Sequence, residues 1–137
     1  MESEPVKYLL DTHTWVWWHT QPDRISEKVM EVLTDGDQLE GLLLSAISIW
    51  EFCKLLEKGR LGIRGDPEEW LSMALRLPRL RIVPLTPRIS YKSTTLPPPI
   101  HGDPADQIIV ATAREESATL LTSDRILLRY EHVLTLW

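Results

Sequence analysis

Short apolar runs that end beside a carboxylate recur along this chain of 137 residues, and they constrain its fold more than any other feature. Tyr8-Leu9-Leu10 comes directly before Asp11, and Leu120-Leu121-Thr122-Ser123 comes directly before Asp124. Asp106 stands at the start of a helix-like apolar stretch, 107–113. If the runs are neighbouring parallel strands, their carboxyl ends meet at one edge of a sheet, and acids from distant parts of the chain converge there.

Strand-like runs alternate with stretches that have helical periodicity and helix-capping residues. Ser26 and Ser45 are placed to cap two helices, and Asp66-Pro67 has the Asp and first-turn Pro typical of a helix start. The predicted strands are 7–12, 41–44, 81–85, 119–122 and 133–136. The predicted helices are 14–18, 27–33, 45–58, 67–77, a short one from position 86, 104–117 and 125–129. This alternation predicts an α/β fold, a parallel sheet with helices on both faces.

Composition is that of an ordinary globular domain, with 43% hydrophobic and 26% charged residues. The length favours a single domain over residues 1–137. The longest nearly apolar stretch, 42–50, is far shorter than the roughly 20 residues of a membrane span. The acidic start without an apolar segment and the single cysteine, Cys53, fit a reducing compartment, so we expect a cytoplasmic protein without a membrane partner.

The net charge of −5 is unevenly divided. Residues 52–100 carry nine Lys or Arg against four acids, a local charge of +5, and the remainder carries −10. Such polarity could place a basic, phosphate-binding rim beside an acidic centre. The alternative is that these charges only solvate helix surfaces, and the charge pattern alone does not separate the two.

Each acid also has a structural interpretation that needs no chemistry. Asp11 could cap a following helix, and Asp124 could cap the helix 125–129. Asp103, with Pro104 next to it, is a strong N-cap candidate. Glu51 could close a capping box with Ser48, or belong to a related box that starts at Ser45.

Two of the acids fit the structural interpretation poorly. Glu51 lies between Trp50 and Phe52 in an apolar turn, and Asp106 shares a helix face with Ile109 and other core candidates. A carboxylate in such a place needs a partner, since burying it alone is costly. Acids gathered at one sheet edge therefore call for a cation, and Mg²⁺ or Mn²⁺ favour all-oxygen ligands.

The chemistry that this predicts is hydrolysis of a phosphodiester bond by a metal-activated water. The predicted catalytic residues and metal ligands are Asp11, Glu51, Asp106 and Asp124. His13 and His101 border the acidic positions, and His101 could touch a substrate phosphate. No nucleophile elbow, P-loop, dinucleotide-binding fingerprint or Cys/His zinc spacing occurs in the sequence.

Three tryptophans crowd one short predicted helix. Trp15 and Trp18 share a face, where core packing is expected, and Trp17 points elsewhere. Exposed tryptophan commonly marks a protein interface or a base-stacking surface. We therefore expect a protein partner or a dimer contact near Trp17 and the basic segment.

Taken together, the motifs resemble the PIN-domain ribonucleases, in particular the VapC-type toxins of toxin–antitoxin pairs. The order and spacing of the matching pieces, which span nearly the whole chain, make the resemblance specific. The pieces are Leu9-Leu10-Asp11-Thr12-His13, Ser45-Ala46-Ile47-Ser48-Ile49-Trp50-Glu51, Lys58-Gly59-Arg60-Leu61, His101-Gly102-Asp103-Pro104-Ala105-Asp106, Ala111-Thr112-Ala113, Leu121-Thr122-Ser123-Asp124 and the final Leu136-Trp137.

The resemblance implies a three-layer PIN-like domain with about five parallel strands, and an acidic pocket that binds Mg²⁺ or Mn²⁺. Asp11, Glu51, Asp106 and Asp124 match the family's acidic site, Asp103 matches a further acid, and Thr122 matches a hydroxyl near the metal. Ser48, Thr12 and His101 are candidate supporting or substrate-binding residues. The implied partners are an RNA substrate, a second copy of the chain and an antitoxin whose C-terminal segment enters the groove.

One residue departs from the family's pattern. Gln107 stands where the subgroup usually has Arg after the second Asp, and this affects a phosphate contact or an internal ion pair rather than a metal-ligand position.

Other families with an acid after the first strand fit less well. A phosphotransfer receiver would have a second acid next to Asp11, and a phosphatase of the haloacid dehalogenase kind would have Asp-x-Asp, whereas this chain has Asp11-Thr12-His13. The remaining alternative is a non-catalytic PIN module that binds RNA or a protein partner. Because all the acids are present, catalysis is favoured.

Overall fold

A computed structural model describes residues 6–35, 41–77 and 79–137. Its centre is a sheet of five strands in the order β3-β2-β1-β4-β5, and every neighbouring pair is parallel. The strands are β1 Lys7–Leu10, β2 Leu42–Ser45, β3 Leu80–Val83, β4 Ala118–Leu121 and β5 Thr135–Leu136. The predicted α/β fold with about five parallel strands is confirmed, and each predicted strand is found with bounds that differ by at most two residues.

Seven α-helices connect the strands in the described part of the chain. They are α1 Thr12–Thr20, α2 Glu27–Thr34, α3 Ala46–Glu57, α4 Pro67–Ala74, α5 Pro87–Ser93, α6 Pro104–Glu115 and α7 Arg125–Arg129, and a 3-10 turn spans Pro22–Arg24. The predicted caps are confirmed at Ser26 and Ser45, whose side chains accept hydrogen bonds from Val29 N and Ile47 N. Asp66 occupies the expected cap position, but its side chain makes no cap bond. The predicted end of α2 at Asp35-Gly36-Asp37 lies partly outside the described residues.

Two helices differ most in length from the prediction. Helix α1 was predicted over 14–18 and begins two residues earlier, because Asp11 accepts a hydrogen bond from Thr12 N and caps it. Helix α4 was predicted to reach position 77 and ends at Ala74. Helix α3 ends at Glu57, one residue before the predicted end, and Gly59 follows with a φ of 67°, a left-handed conformation that glycine adopts without strain.

The side chains of each strand alternate between two hydrophobic cores. Leu9 and Leu120 pack on one face of the sheet with Ile109 of α6, while Leu10 and Leu121 pack on the other with Trp15 of α1. Each face is covered by helices, so the predicted three-layer arrangement is confirmed. No helix in the described ranges is long and apolar enough to cross a membrane.

The sheet order changes direction at β1. The chain runs outward from β1 through β2 to β3 on one side, and β4 and β5 lie on the other. In open α/β sheets a crevice forms beyond the carboxyl ends of the strands at such a switch point. Asp11 N donates to Leu121 O at 3.0 Å, so the ends of β1 and β4 are held side by side at this crevice.

Candidate active site

A pocket of about 320 Å³ lies at the carboxyl ends of the strands, and five acids line it. They come from the end of β1, from α3, from the start of α6 and from the start of α7: Asp11, Glu51, Asp103, Asp106 and Asp124. His13, Trp17 and Ser123 complete the lining. The structure therefore brings together all four predicted catalytic acids and the predicted supporting acid.

Asp11 is the most buried acid of the pocket, with 7% of its surface exposed. Its Oδ1 accepts a hydrogen bond from Thr12 N at 2.8 Å, and its Oδ2 accepts one from the Thr122 hydroxyl at 2.6 Å. Burial raises the pKa of Asp11 in spite of these two bonds, which favour the carboxylate. Asp11 is thus both the cap of α1 and a pocket residue, so its two interpretations are compatible.

Glu51 is held by a hydroxyl from another helix. The Thr12 hydroxyl donates to Glu51 Oε1 at 2.5 Å and is hydrogen-bonded to the fully buried Ser48 hydroxyl at 2.8 Å. Because Ser45 caps α3, the suggested capping box between Ser48 and Glu51 is wrong. Burial raises the pKa of Glu51, and the nearby charge of Asp11 raises it further.

Asp106 is affected both by burial and by the other acids of the pocket. Burial, followed by the negative charges of Asp11, Asp103, Glu51 and Asp124, raises its pKa to about 8. Its Oδ2 lies 3.1 Å from Nε2 of His101. This is a short contact without the geometry of a hydrogen bond, since His101 Nε2 has no hydrogen-bond partner among the described residues.

Asp103 and Asp124 are both helix caps, as their structural interpretation predicted. Asp103 Oδ1 accepts from Ala105 N and Asp106 N, and Asp124 Oδ1 accepts from Ile126 N and Leu127 N. The Oδ2 atom of each accepts no hydrogen bond within the described ranges and remains available to a ligand. With Asp11, these caps mean that three helices begin at the pocket, and the positive ends of α1 and α6 partly offset its negative charge.

The donor set fits a hard divalent cation in its chemistry. Five carboxylates supply only oxygen atoms, as Mg²⁺ and Mn²⁺ prefer, and no Lys or Arg of residues 6–35, 41–77 and 79–137 forms an ion pair with any of them. Over the same residues, no three Asp, Glu, His or Cys side chains are already grouped closely enough to hold one ion. The pocket thus offers free carboxylate oxygen atoms that no Lys or Arg of the described residues neutralises.

Trp17 and Gln107 take positions that the local sequence pattern did not specify. Trp17 is half-buried and lines the acidic pocket, with the Arg24 guanidinium 4.5 Å from its ring and Trp137 at 6.1 Å between ring centroids. The expected partner surface at Trp17 remains a prediction. Gln107 Nε2 donates to His101 O at 2.9 Å, so this departure from the family's pattern anchors the loop that carries His101.

Two residues of the basic segment do not form a rim at the acidic pocket. Arg81 pairs with Glu116 and Arg88 pairs with Glu115, at the opposite end of α6 from Asp106. Glu115 is nine residues beyond Asp106 on α6, which corresponds to about 14 Å along the helix axis. For these two arginines the suggested basic rim is wrong, and the interpretation as ordinary surface charges is correct.

Comparisons with known proteins agree with this architecture. Residues 8–133 match the family model described as PIN domain. The chain is 34% identical over 131 residues to Ribonuclease VapC22 of Mycobacterium tuberculosis, covering 94% of this chain and 97% of that protein. FitAcB from Neisseria gonorrhoeae is a structural neighbour with 27% identity, a TM-score of 0.62, and coverage of 95% of this chain and 96% of that one.

VapBC2 from Rickettsia felis, solved with a promoter DNA fragment, is another neighbour, with 20% identity, a TM-score of 0.64, and coverage of 96% of this chain and 98% of that one. At that identity the likeness concerns the fold alone. From the family match and the VapC22 relative together, the chain belongs to the PIN-domain family, among the VapC-type ribonucleases.

Proposed function

We propose that this chain is a divalent-metal-dependent endoribonuclease that cuts RNA in the acidic pocket and serves as the toxin of a toxin–antitoxin pair. The observation that carries the proposal is the convergence of five acids in one pocket, where burial and then the charges of the neighbouring acids raise the pKa of Asp106 to about 8. Such a group either keeps a proton or acquires a cation. Membership of the VapC-type ribonucleases supports the same chemistry.

Asp11, Glu51, Asp106 and Asp124 would hold Mg²⁺ or Mn²⁺. When bound, such an ion lowers the pKa of a coordinated water and neutralises charge on a phosphodiester. Asp124 lines the pocket, and its Oδ2 accepts no hydrogen bond from the described residues and is free to bind. Oδ2 of Asp103 is also free, so Asp103 would support the site through a water or a more distant contact.

Hydroxyl groups position these acids for the reaction. Thr122 donates to Asp11, and Thr12, hydrogen-bonded to Ser48, donates to Glu51, so two of the four carboxylates have a fixed orientation before substrate arrives. In its ionised form, Asp106 or Glu51 is placed in the pocket to accept a proton from water. His101, in contact with Asp106, is placed to touch a substrate phosphate.

A protein partner follows from the same relatives. Several structural neighbours are toxin–antitoxin complexes, including one from Klebsiella pneumoniae and VapBC from Salmonella typhimurium. We propose an antitoxin and a second copy of this chain as partners, with residues 1–137 forming one domain. The alternative of a non-catalytic binding module is less favoured, since every acid of the site is present in one pocket.

The test is cleavage of a panel of transfer and ribosomal RNAs in Mg²⁺, Mn²⁺ or chelator. Asp11→Asn and Asp106→Asn should each abolish cleavage without unfolding the protein. Asp66→Asn is the matched control, because Asp66 is an exposed acid at a helix start whose side chain makes no cap bond. Metal-dependent cleavage that persists undiminished in both pocket variants would refute the proposal.

A further inference from the structure

A second, larger cavity lies beside the acidic pocket and is not used by the proposed reaction. Its volume is about 500 Å³, within the range of roughly 300–1,000 Å³ typical of small-molecule sites. One wall is the loop before α6, and the other is α7 with the residues that follow it. The lining residues are Pro98, Pro99, Ile100 and His101 on the first wall, and Ile126, Arg129, Tyr130, Glu131 and His132 on the second. We call it the side cavity.

Both walls of the side cavity continue into the acidic pocket. On the first wall, His101 lines the side cavity, and its Nε2 lies 3.1 Å from Asp106 Oδ2. On the second wall, Ile126 lines the side cavity, and its backbone N donates to Asp124 Oδ1 at 2.8 Å. A ligand in the side cavity is therefore adjacent to a phosphate held among the acids.

The side cavity is formed before any ligand binds. The Tyr130 hydroxyl donates to Pro97 O at 2.6 Å and joins the two walls directly. Gln107 fixes the His101 end of the first wall, and Arg114 donates to His132 O at the far end of the second. Binding here would cost little ordering of the chain, which favours affinity.

The chemistry of the lining suits a planar ligand with apolar faces and a polar edge. Pro98 and Pro99 are exposed apolar surfaces, and Ile126 keeps 55% of its surface exposed at the cavity wall. Arg129 offers N–H donors and Glu131 offers acceptor oxygens at the same site. Donors and acceptors that flank an apolar slot are what the edge and faces of a nucleobase require.

We propose that the side cavity binds one unpaired nucleobase of the RNA, next to the phosphate that is cut, and so sets which sequence is cleaved. The inference rests on the proposed ribonuclease function, because that function places the phosphate among the acids. Recognition of this kind requires a single-stranded or looped segment, from which one base can be turned out of the stack.

Two variants remove the lining without touching the acids. Ile126→Ala removes an apolar side chain from the wall, and Leu128→Ala on the same helix is its control. Arg129→Met removes the N–H donors, and Arg125→Met is its control. Leu128 and Arg125 are exposed and do not line the side cavity. The probe is a set of single-stranded oligoribonucleotides in which one nucleotide at a time is made abasic. Binding is followed by fluorescence anisotropy in chelator, where the proposed metal-dependent cleavage does not occur.

At one position, loss of the base should weaken wild-type binding about tenfold, since stacking and edge contacts of one base commonly have this effect. Ile126→Ala and Arg129→Met should weaken binding of the intact oligonucleotide by a similar factor and leave that abasic one unchanged. The control variants should bind like the wild type. In cleavage assays, the same two variants should reduce the protein's preference for one base at that position of the RNA.

Equal weakening of the intact and all abasic oligonucleotides, or no weakening, would overturn the proposal. A change in sedimentation from dimer to monomer with unaltered RNA binding would also overturn it, and would assign the side cavity to a second copy of the chain. Failure of the proposed function has a different signature, namely wild-type protein that cuts no RNA in any metal. The binding experiment tests the base site independently of that result.

Discussion

The Thr122 hydroxyl donates a 2.6 Å hydrogen bond to Oδ2 of Asp11, joining side chains that are 111 positions apart in the sequence. Both side chains are buried, and their hydrogen bond joins the residues that follow the carboxyl ends of the paired strands β1 and β4. Asp11 has no other hydrogen-bond donor for this oxygen among the described residues. The orientation of the most buried acid in the pocket thus depends on a residue from the other half of the sheet.

Replacing this hydroxyl should therefore lower activity more than stability. Thr122→Val keeps the shape of the side chain but leaves Asp11 Oδ2 without its donor, and loss of such a supporting contact typically costs about 10- to 100-fold in activity or metal affinity. Thr122→Ser retains the hydroxyl and should stay within a few-fold of wild type. Metal titrations of cleavage rate compare the two variants. Equal activities would show that this hydrogen bond does not position the acid.

The acidic pocket makes the stability of the metal-free protein depend on pH. The pKa of Asp106 is raised from 3.8 to about 8 in the folded chain, so between these values the unfolded chain has lost a proton that the folded chain keeps. The free energy of unfolding should therefore fall as pH rises from about 4 to 8. Asp11 and Glu51, whose pKa values are also raised, act in the same direction.

Urea denaturation in chelator at pH 5 and pH 8 measures this effect. Asp106→Asn should flatten the pH dependence, while Asp66→Asn should leave it as in the wild type. Added Mn²⁺ should stabilise the wild type more at pH 8 than at pH 5, because the ion competes with the proton for the same carboxylates. A pH dependence that is the same in Asp106→Asn as in the wild type would contradict the prediction.

Local patterns were sufficient to predict the elements and the acids, but not the contacts between distant elements. The sequence around Ser26, Ser45 and Asp103 predicts a helix start at each of them. The structure has α2, α3 and α6 at these places. The bond from Thr12 to Glu51 joins residues 39 positions apart, and no local rule selects it over a capping box. The side cavity forms between residues 98–101 and 126–132, so its lining could not be assembled before the fold was known.

Gln107 gives a test of how the loop carrying His101 is held. Gln107→Leu removes the donor to His101 O, and we expect a loss of about 1 kcal/mol in the free energy of unfolding together with a several-fold slower cleavage. Gln107→Arg, which introduces the residue usual in the subgroup, keeps N–H donors and should lie closer to the wild type. The imidazole resonances of His101 provide a local measure, and they should shift in the Leu variant. An unchanged His101 signal in that variant would mean that the loop is held by other contacts.

Gly41 is required by a close approach between β2 and the chain leading into β1. A Cβ atom at this position would lie 2.7 Å from Val6 O and 2.8 Å from Lys7 Cα, distances that backbone atoms cannot relieve without a shift of the strand. Gly41→Ala should therefore destabilise the fold by about 1–3 kcal/mol, the usual cost of overpacking. Gly62→Ala is the matched control, since nothing lies within 4 Å of its added Cβ. The urea midpoint of Gly41→Ala should be clearly below that of Gly62→Ala. Because Asp11 directly follows β1, Gly41→Ala should also lose metal-dependent activity at a lower temperature than Gly62→Ala. Coinciding midpoints would show that the two segments can separate without cost.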